Sequence, residues 1–271
     1  MSNIKVIEKK GNLPGKKIVI TAGIHGNEVC GIEAFDELIP SINIEKGNVF
    51  FVYGNLKAIK ENKRFIEKNL NRCFLVPQPE NIENSLEGKT AKEIMTILDK
   101  CEALLDIHAS NSPDSIPFII CEPNNFQTVE SLSFKKVVSG FDKFEPGSTE
   151  HYMNLKSKQG IGIECGYIKD KSGKELAKEA IIDFLIINKA ISGKIKKIKK
   201  EYYKIIELYK NKKEAFVKSK EFNDFEELKS KTLIGKEGEV SIYRNKGFTL
   251  FVRDRYNINE ECFLIAEKLN L

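Results

Sequence analysis

The chain has 271 residues, 41% hydrophobic and 31% charged, which suits one sizeable core with a smaller appended unit. The net charge of +5 is modest, and much of the excess lies in KIKKIKKEYYKIIELYKNKKEAFVKSK. That stretch reads as a solvated lysine-rich surface, since none of the common nucleic-acid motifs accompanies it. Neither secretion nor a membrane span is expected: MSNIKVIEKKGNLPGKK has no apolar signal core, and the run AIIDFLIINKAI is short and carries Asp183.

The elements alternate along the first two hundred residues. KKIVITAG reads as a buried strand ending in Gly23 and Gly26, EVCGIEAFDELIP as a helix stopped by Pro40, and GNVFFVYGN as a second strand. TAKEIMTILDKC has helical spacing and leads into the strand ALLDIHAS. IPFIICEP and GIGIECG follow as buried strands, and GKELAKEAIIDFLIINKAI as an amphipathic helix. Shorter alternating segments follow residue 196, among them YYKIIELYK, GEVSIYRNKG and FTLFVRD. The expected organisation is an α/β domain over 1–195 and a small β-rich domain over 196–271. Cys30, Cys73, Cys101, Cys121, Cys165 and Cys262 are widely spaced with no CxxC pair, as expected of reduced core thiols in a cytoplasmic protein.

Only three histidines occur, and two of them end strands. His25 follows the first strand and His108 closes ALLDIHAS, and strand ends of an open α/β sheet are where ligands gather. Glu28, three residues after His25, completes a set of the His₂Glu type that holds catalytic zinc. An isolated HxxE would read instead as a hydrogen-bonded loop histidine with a glutamate at a helix start. Asp106 shares a strand face with His108 and suits either the orientation of a ligand or a purely structural carboxylate. Glu164, inside the apolar GIGIECG, is costly to bury without a partner; a general base and a salt bridge both answer that. In KRFIEKNLNRCF, Arg64 suits polarisation of a carbonyl, and Asn71 with Arg72 suits a carboxylate clamp, the alternative being ordinary surface charges.

Taken in order, GIHGNE, NLNR, DIH and IECG resemble the succinylglutamate desuccinylase and aspartoacylase family, a branch of the zinc carboxypeptidase-like hydrolases. The likeness covers most of the first 170 residues. It implies a mixed sheet flanked by helices with a small β-rich C-terminal domain. By that resemblance His25, Glu28 and His108 are zinc ligands and Glu164 is the general base. Arg64 polarises the substrate carbonyl, Asn71 and Arg72 hold the α-carboxylate, and Tyr256 is brought over the pocket by the C-terminal domain. Two positions depart from the family. Its DLNR is NLNR here, with Asn69 removing a charge. The arginine by which aspartoacylase holds its substrate's side-chain carboxylate is also missing from HYMNLKSKQGIGIE, where Asn154 stands at the best match. Lys156 or Lys158 would then serve as a point charge, or the pocket takes another side chain; His151, nearby, reads as a rim residue or a plain loop histidine.

The expectation is a cytoplasmic zinc-dependent amidohydrolase with one Zn²⁺ per chain, acting on a small N-acyl amino acid or similar amide. No nucleic-acid or membrane partner is expected, and a homodimer is expected by analogy alone. The alternatives are a zinc carboxypeptidase for short peptides and a catalytically silent metal-stabilised binding protein.

Overall fold

The computed structural model describes residues 2–271. Its strands are β1 (Lys5–Lys10), β2 (Leu13–Ala22), β3 (Lys46–Tyr53), β4 (Ala103–Ser110), β5 (Phe118–Ile120), β6 (Lys136–Ser139) and β7 (Gln159–Tyr167). After residue 195 come β8 (Glu201–Lys210), β9 (Phe216–Lys218), β10 (Glu227–Leu228), β11 (Thr232–Glu237), β12 (Val240–Arg244), β13 (Gly247–Leu250) and β14 (Glu261–Leu269). Eleven of these form one mixed sheet in the order β1-β3-β2-β4-β7-β5-β6-β8-β14-β13-β10, and β12-β11-β9 form a small antiparallel sheet.

The centre of the large sheet is parallel, with β2 between β3 and β4, and β4 against β7. Every residue of β4 is buried, because helices cover both faces. Side chains alternate between the two layers. Ile18, Ile20, Leu105 and Ile107 pack with Phe35 of the helix Cys30–Leu38 and with Ile181 and Phe184 of the helix Ser172–Ile187. Val19 and Leu104 face the other way, onto Ile94 and Leu98 of the helix Leu86–Leu98, whose first turn is capped by Ser85.

The chain leaves β2 for β3 on one side and later returns to place β4 on the other. The crevice beyond the C-terminal ends of β2 and β4 is therefore a topological switch point, where open α/β sheets bind ligands. The large sheet continues across the 195/196 division. β8 pairs in parallel with β6, with Val137 opposite Tyr202, and β14, β13 and β10 extend the sheet beyond it. One apolar cluster joins Phe118, Val138 and Phe141 to Tyr203, Ile205, Phe225, Leu250 and Leu264 from both sides of that division. All six cysteines are buried and free, and among the described residues no helix is long and apolar enough to cross a membrane.

Candidate active site

β2 ends at Ala22, and Gly23 turns the chain with φ +69°, a conformation that favours glycine. The next turn is closed by the Glu28 N–H donating to the His25 carbonyl at 3.1 Å. Its fit against the neighbouring loop is tight: a Cβ on Gly26 would meet the Ala58 backbone at 2.2 Å, and the Gly26 N–H donates to the Arg64 carbonyl. His25 and Glu28 thus leave the strand tip on one side, both buried.

His108, two residues short of the end of β4, approaches from the adjacent strand. Its Nδ1 lies 2.9 Å from Glu28 Oε2, and its Nε2 lies 3.0 Å from Asp106 Oδ2. Asp106 is itself held by the Thr21 hydroxyl at 2.6 Å and by the Thr149 hydroxyl. It therefore fixes the ring of His108, as carboxylates behind ligating histidines do. His25 Nδ1 sits 2.8 Å from Glu28 Oε1, yet it is buried without an aligned hydrogen bond. Its Nε2 is 2.8 Å from Asn69 Oδ1. Asn69 thus supports His25 and also accepts the Asn71 N–H to cap the turn Leu70–Arg72.

Burial, with Arg64 close by, brings His25 down to about 4, which keeps the ring neutral. Burial alone would also discourage the charge on His108, but Asp106 and Glu28 outweigh it and raise His108 well above its ordinary value. Glu28 is held well below the usual carboxylate range, since its two histidines and Arg64 overcome the cost of burying it.

Glu164, on β7, is the register partner of His108. Its Oε2 is buried with no hydrogen-bond partner, and burial together with Glu28 pushes the carboxyl up to about 8. Arg64 donates from Nη1 to Glu28 Oε1 at 2.7 Å. The segment carrying it is pinned by Glu87, a fully buried side chain that accepts the N–H groups of Ile66, Glu67 and Lys68 and the Asn55 amide. Asn71 Nδ2 is 3.5 Å from His108 Nε2, and its Oδ1 accepts the Thr149 N–H. Arg72 is engaged by Glu145 at 2.9 Å and by Glu261 at 3.6 Å.

His25, Glu28, Arg64, Asn71, Arg72, His108, Glu145, Glu164 and Glu261 line one cavity of about 70 Å³, together with Ser110, Phe141, Glu150, Phe251 and Arg253. Of the residues expected from the sequence, His25, Glu28, Arg64, Asn71, Arg72, His108 and Glu164 all meet here. Tyr256 does not; it is 74% exposed. The backbone bridge between Phe216 and Arg255 fixes the chain with Arg253 at the cavity wall and Tyr256 in solvent. Asn154 also lies outside the cavity lining, donating to Asp142 and accepting from Asn125. Lys156 pairs with Asp99, and Lys158 donates to the carbonyls of Leu98 and Asp99, so neither replaces the missing arginine. Arg253, Glu145, Glu150 and Glu87 escape sequence reasoning. Their only local signal is charge inside or beside an apolar stretch, and their partners are distant in the chain.

The donor set fits a divalent cation of the zinc type. One ligand atom from each of His25, Glu28 and His108 lies within 4.8 Å of the others, all three residues are buried, and His25 Nδ1 is an orphaned nitrogen aimed at the same carboxylate. Asp106, His108 and Glu150 form a second such group sharing His108, but Asp106 is already committed to two hydroxyls and to that ring.

The family model described as succinylglutamate desuccinylase/aspartoacylase catalytic domain matches residues 14–181. A probable aspartoacylase of Nostoc sp. is 29% identical over 164 residues, which is 56% of this chain and 55% of that protein. The succinylglutamate desuccinylase of Pseudoalteromonas atlantica is 40% identical over 85 residues, 29% of this chain and 24% of that one. The chain thus spans about half of the first relative and a quarter of the second. The crystal structure of succinylglutamate desuccinylase from Vibrio cholerae superposes with a TM-score of 0.81 at 19% identity, covering 98% of this chain and 86% of that one, a likeness of fold. With the catalytic-domain model matching more than half of its length, the chain belongs to the succinylglutamate desuccinylase/aspartoacylase family.

Proposed function

We propose that this protein is a zinc-dependent amidohydrolase that removes the acyl group from a small N-acyl amino acid. The observation that carries the reading is the unpartnered, buried Glu164 carboxyl lining the same cavity as the His25, Glu28 and His108 donors. A zinc ion held by those three residues would supply the Lewis acid that polarises the acyl carbonyl and acidifies water. Glu164 takes a proton from the attacking water and passes it to the amine nitrogen as the amide C–N bond breaks. Burial favours the protonated carboxyl, the direction that suits the return of the proton to the leaving amine. Arg64, anchored on Glu28, offers its guanidinium to the charge that grows on the carbonyl oxygen. Asn71 and Arg72 form the wall for the amino-acid part. Free buried thiols support a cytoplasmic setting.

The test combines metal analysis of the purified protein with amine release from N-acetyl, N-formyl and N-succinyl amino acids. Roughly one zinc per chain is expected. Glu164→Gln should lose about 10²–10⁴-fold in turnover while keeping its metal. Protein without zinc before any contact with chelator, or full turnover in Glu164→Gln, overturns the mechanism.

A further inference from the structure

Three guanidinium groups line the cavity, and their partners set them apart. Arg64 is bound to Glu28, and Arg72 to Glu145 and Glu261. Among the described residues Arg253 is in no ion pair; its Nη2 donates to the Ser110 hydroxyl at 3.0 Å, and its Cζ lies 4.7 Å from the centre of the Phe251 ring. Its Nε is buried with no partner at all. Burial and the neighbouring Arg64 and Arg255 work against the charge, which Glu164 and Asp224 balance only from a distance. A half-sequestered guanidinium with an idle Nε edge lacks an anion.

The geometry points to Arg253 as the residue that binds a carboxylate of the substrate, so that N-acyl amino acids are selected over neutral amides. This rests on the deacylase reading for its substrate but not for its site. Ser110, which anchors the guanidinium, follows His108 by two residues on β4, about 7 Å along the strand. A substrate with its acyl carbonyl at the metal donors would thus have its carboxylate in the same cavity as this guanidinium. The idle Nε, beside Nη2, is the edge by which arginine takes a carboxylate through two parallel hydrogen bonds. A carboxylate at Arg72 would have to compete with two protein carboxyls, whereas among the described residues none is paired with Arg253. Asn154, Lys156 and Lys158, in the segment before β7, are engaged elsewhere. Selectivity thus comes from the segment between β13 and β14, far along the chain from the metal donors.

The experiment compares kcat/KM for each N-acetyl amino acid of the panel with that for its carboxamide, in the native protein, Arg253→Gln and Arg253→Lys. The native protein should prefer the acid by about 10–100-fold, the range of a charge-assisted pair. The preference should fall to within a few-fold of unity in Arg253→Gln and recover in part in Arg253→Lys. An acid-to-amide ratio in Arg253→Gln equal to the native one overturns the assignment. Should Arg253→Gln fail to fold, a reduced ratio in Arg253→Lys supports the assignment and an unchanged one overturns it. If the native protein turns over nothing in the panel, the reaction proposed above fails, and calorimetric binding of N-acetylaspartate against its diamide decides this proposal separately. Tighter binding of the acid that is lost in Arg253→Gln supports it; no preference in the native protein overturns it.

Discussion

Glu145 and Glu261 show how the wall of the cavity is tuned side chain by side chain. Burial, reinforced by a hydrogen bond with Glu261, pushes Glu145 up to about 7 despite the adjacent Arg72. Glu261 is brought down to about 2, because Glu145 and Arg72 outweigh its own burial. The pair holds one proton near neutrality, while the unfolded chain gives up the Glu145 proton at its ordinary value of 4.5. With the folded value raised, the stability this group contributes is complete below its unfolded value and is lost as pH rises through about 7. Glu145→Gln keeps a hydrogen-bond donor and removes the titration. Its melting temperature relative to the native protein should therefore rise between about pH 5 and pH 8. Melting curves that shift in parallel over that range would remove the shared proton from the account.

At the level of elements, the loop 64–72 depends on a residue that is neither in it nor in the cavity. Glu87, in the first turn of the helix Leu86–Leu98, gathers three consecutive backbone N–H groups of that loop and the Asn55 amide. The loop in turn places Arg64 on Glu28 and Asn69 on His25. Truncating Glu87 leaves the buried Asn55 amide without its partner and three partly buried backbone N–H groups to water; a buried unsatisfied donor costs about 1–3 kcal/mol. Glu87→Ala is expected to lose roughly 1–3 kcal/mol in denaturant unfolding. Among variants that remain folded, kcat/KM should fall even though no atom of Glu87 reaches the substrate. Native stability in that variant would mean that the loop holds its shape by other contacts.

For the molecule as a whole, the 195/196 division follows the change in sequence texture but not the hydrogen bonding. A chain ending at residue 195 would expose the β6 edge, strip Tyr203, Ile205, Phe225, Leu250 and Leu264 from a shared apolar cluster, and remove Arg253 and Glu261 from the cavity. The intact protein is accordingly expected to melt in one cooperative transition, and fragment 1–195 to show neither a sharp transition nor activity. A fragment that folds cooperatively, seen as dispersed amide resonances, would establish the N-terminal part as independent.

By itself the sequence determined the alternation of strands and helices, the strand tips bearing His25, Glu28 and His108, and the family, because apolar runs, helix stops and short ordered motifs are local properties of the chain. It also marked Glu164, since a carboxyl inside an apolar strand stands out against its neighbours. Only the tertiary structure decided what surrounds those residues. Arg253 enters the cavity and Tyr256 leaves it through the backbone bridge of Arg255 to Phe216, about forty residues earlier in the chain. Arg72 is occupied by carboxyls from two remote segments, and Asn69 turns to His25. Such pairings depend on long-range register and on which charges share a desolvated space, and neither is written in any short stretch of the chain.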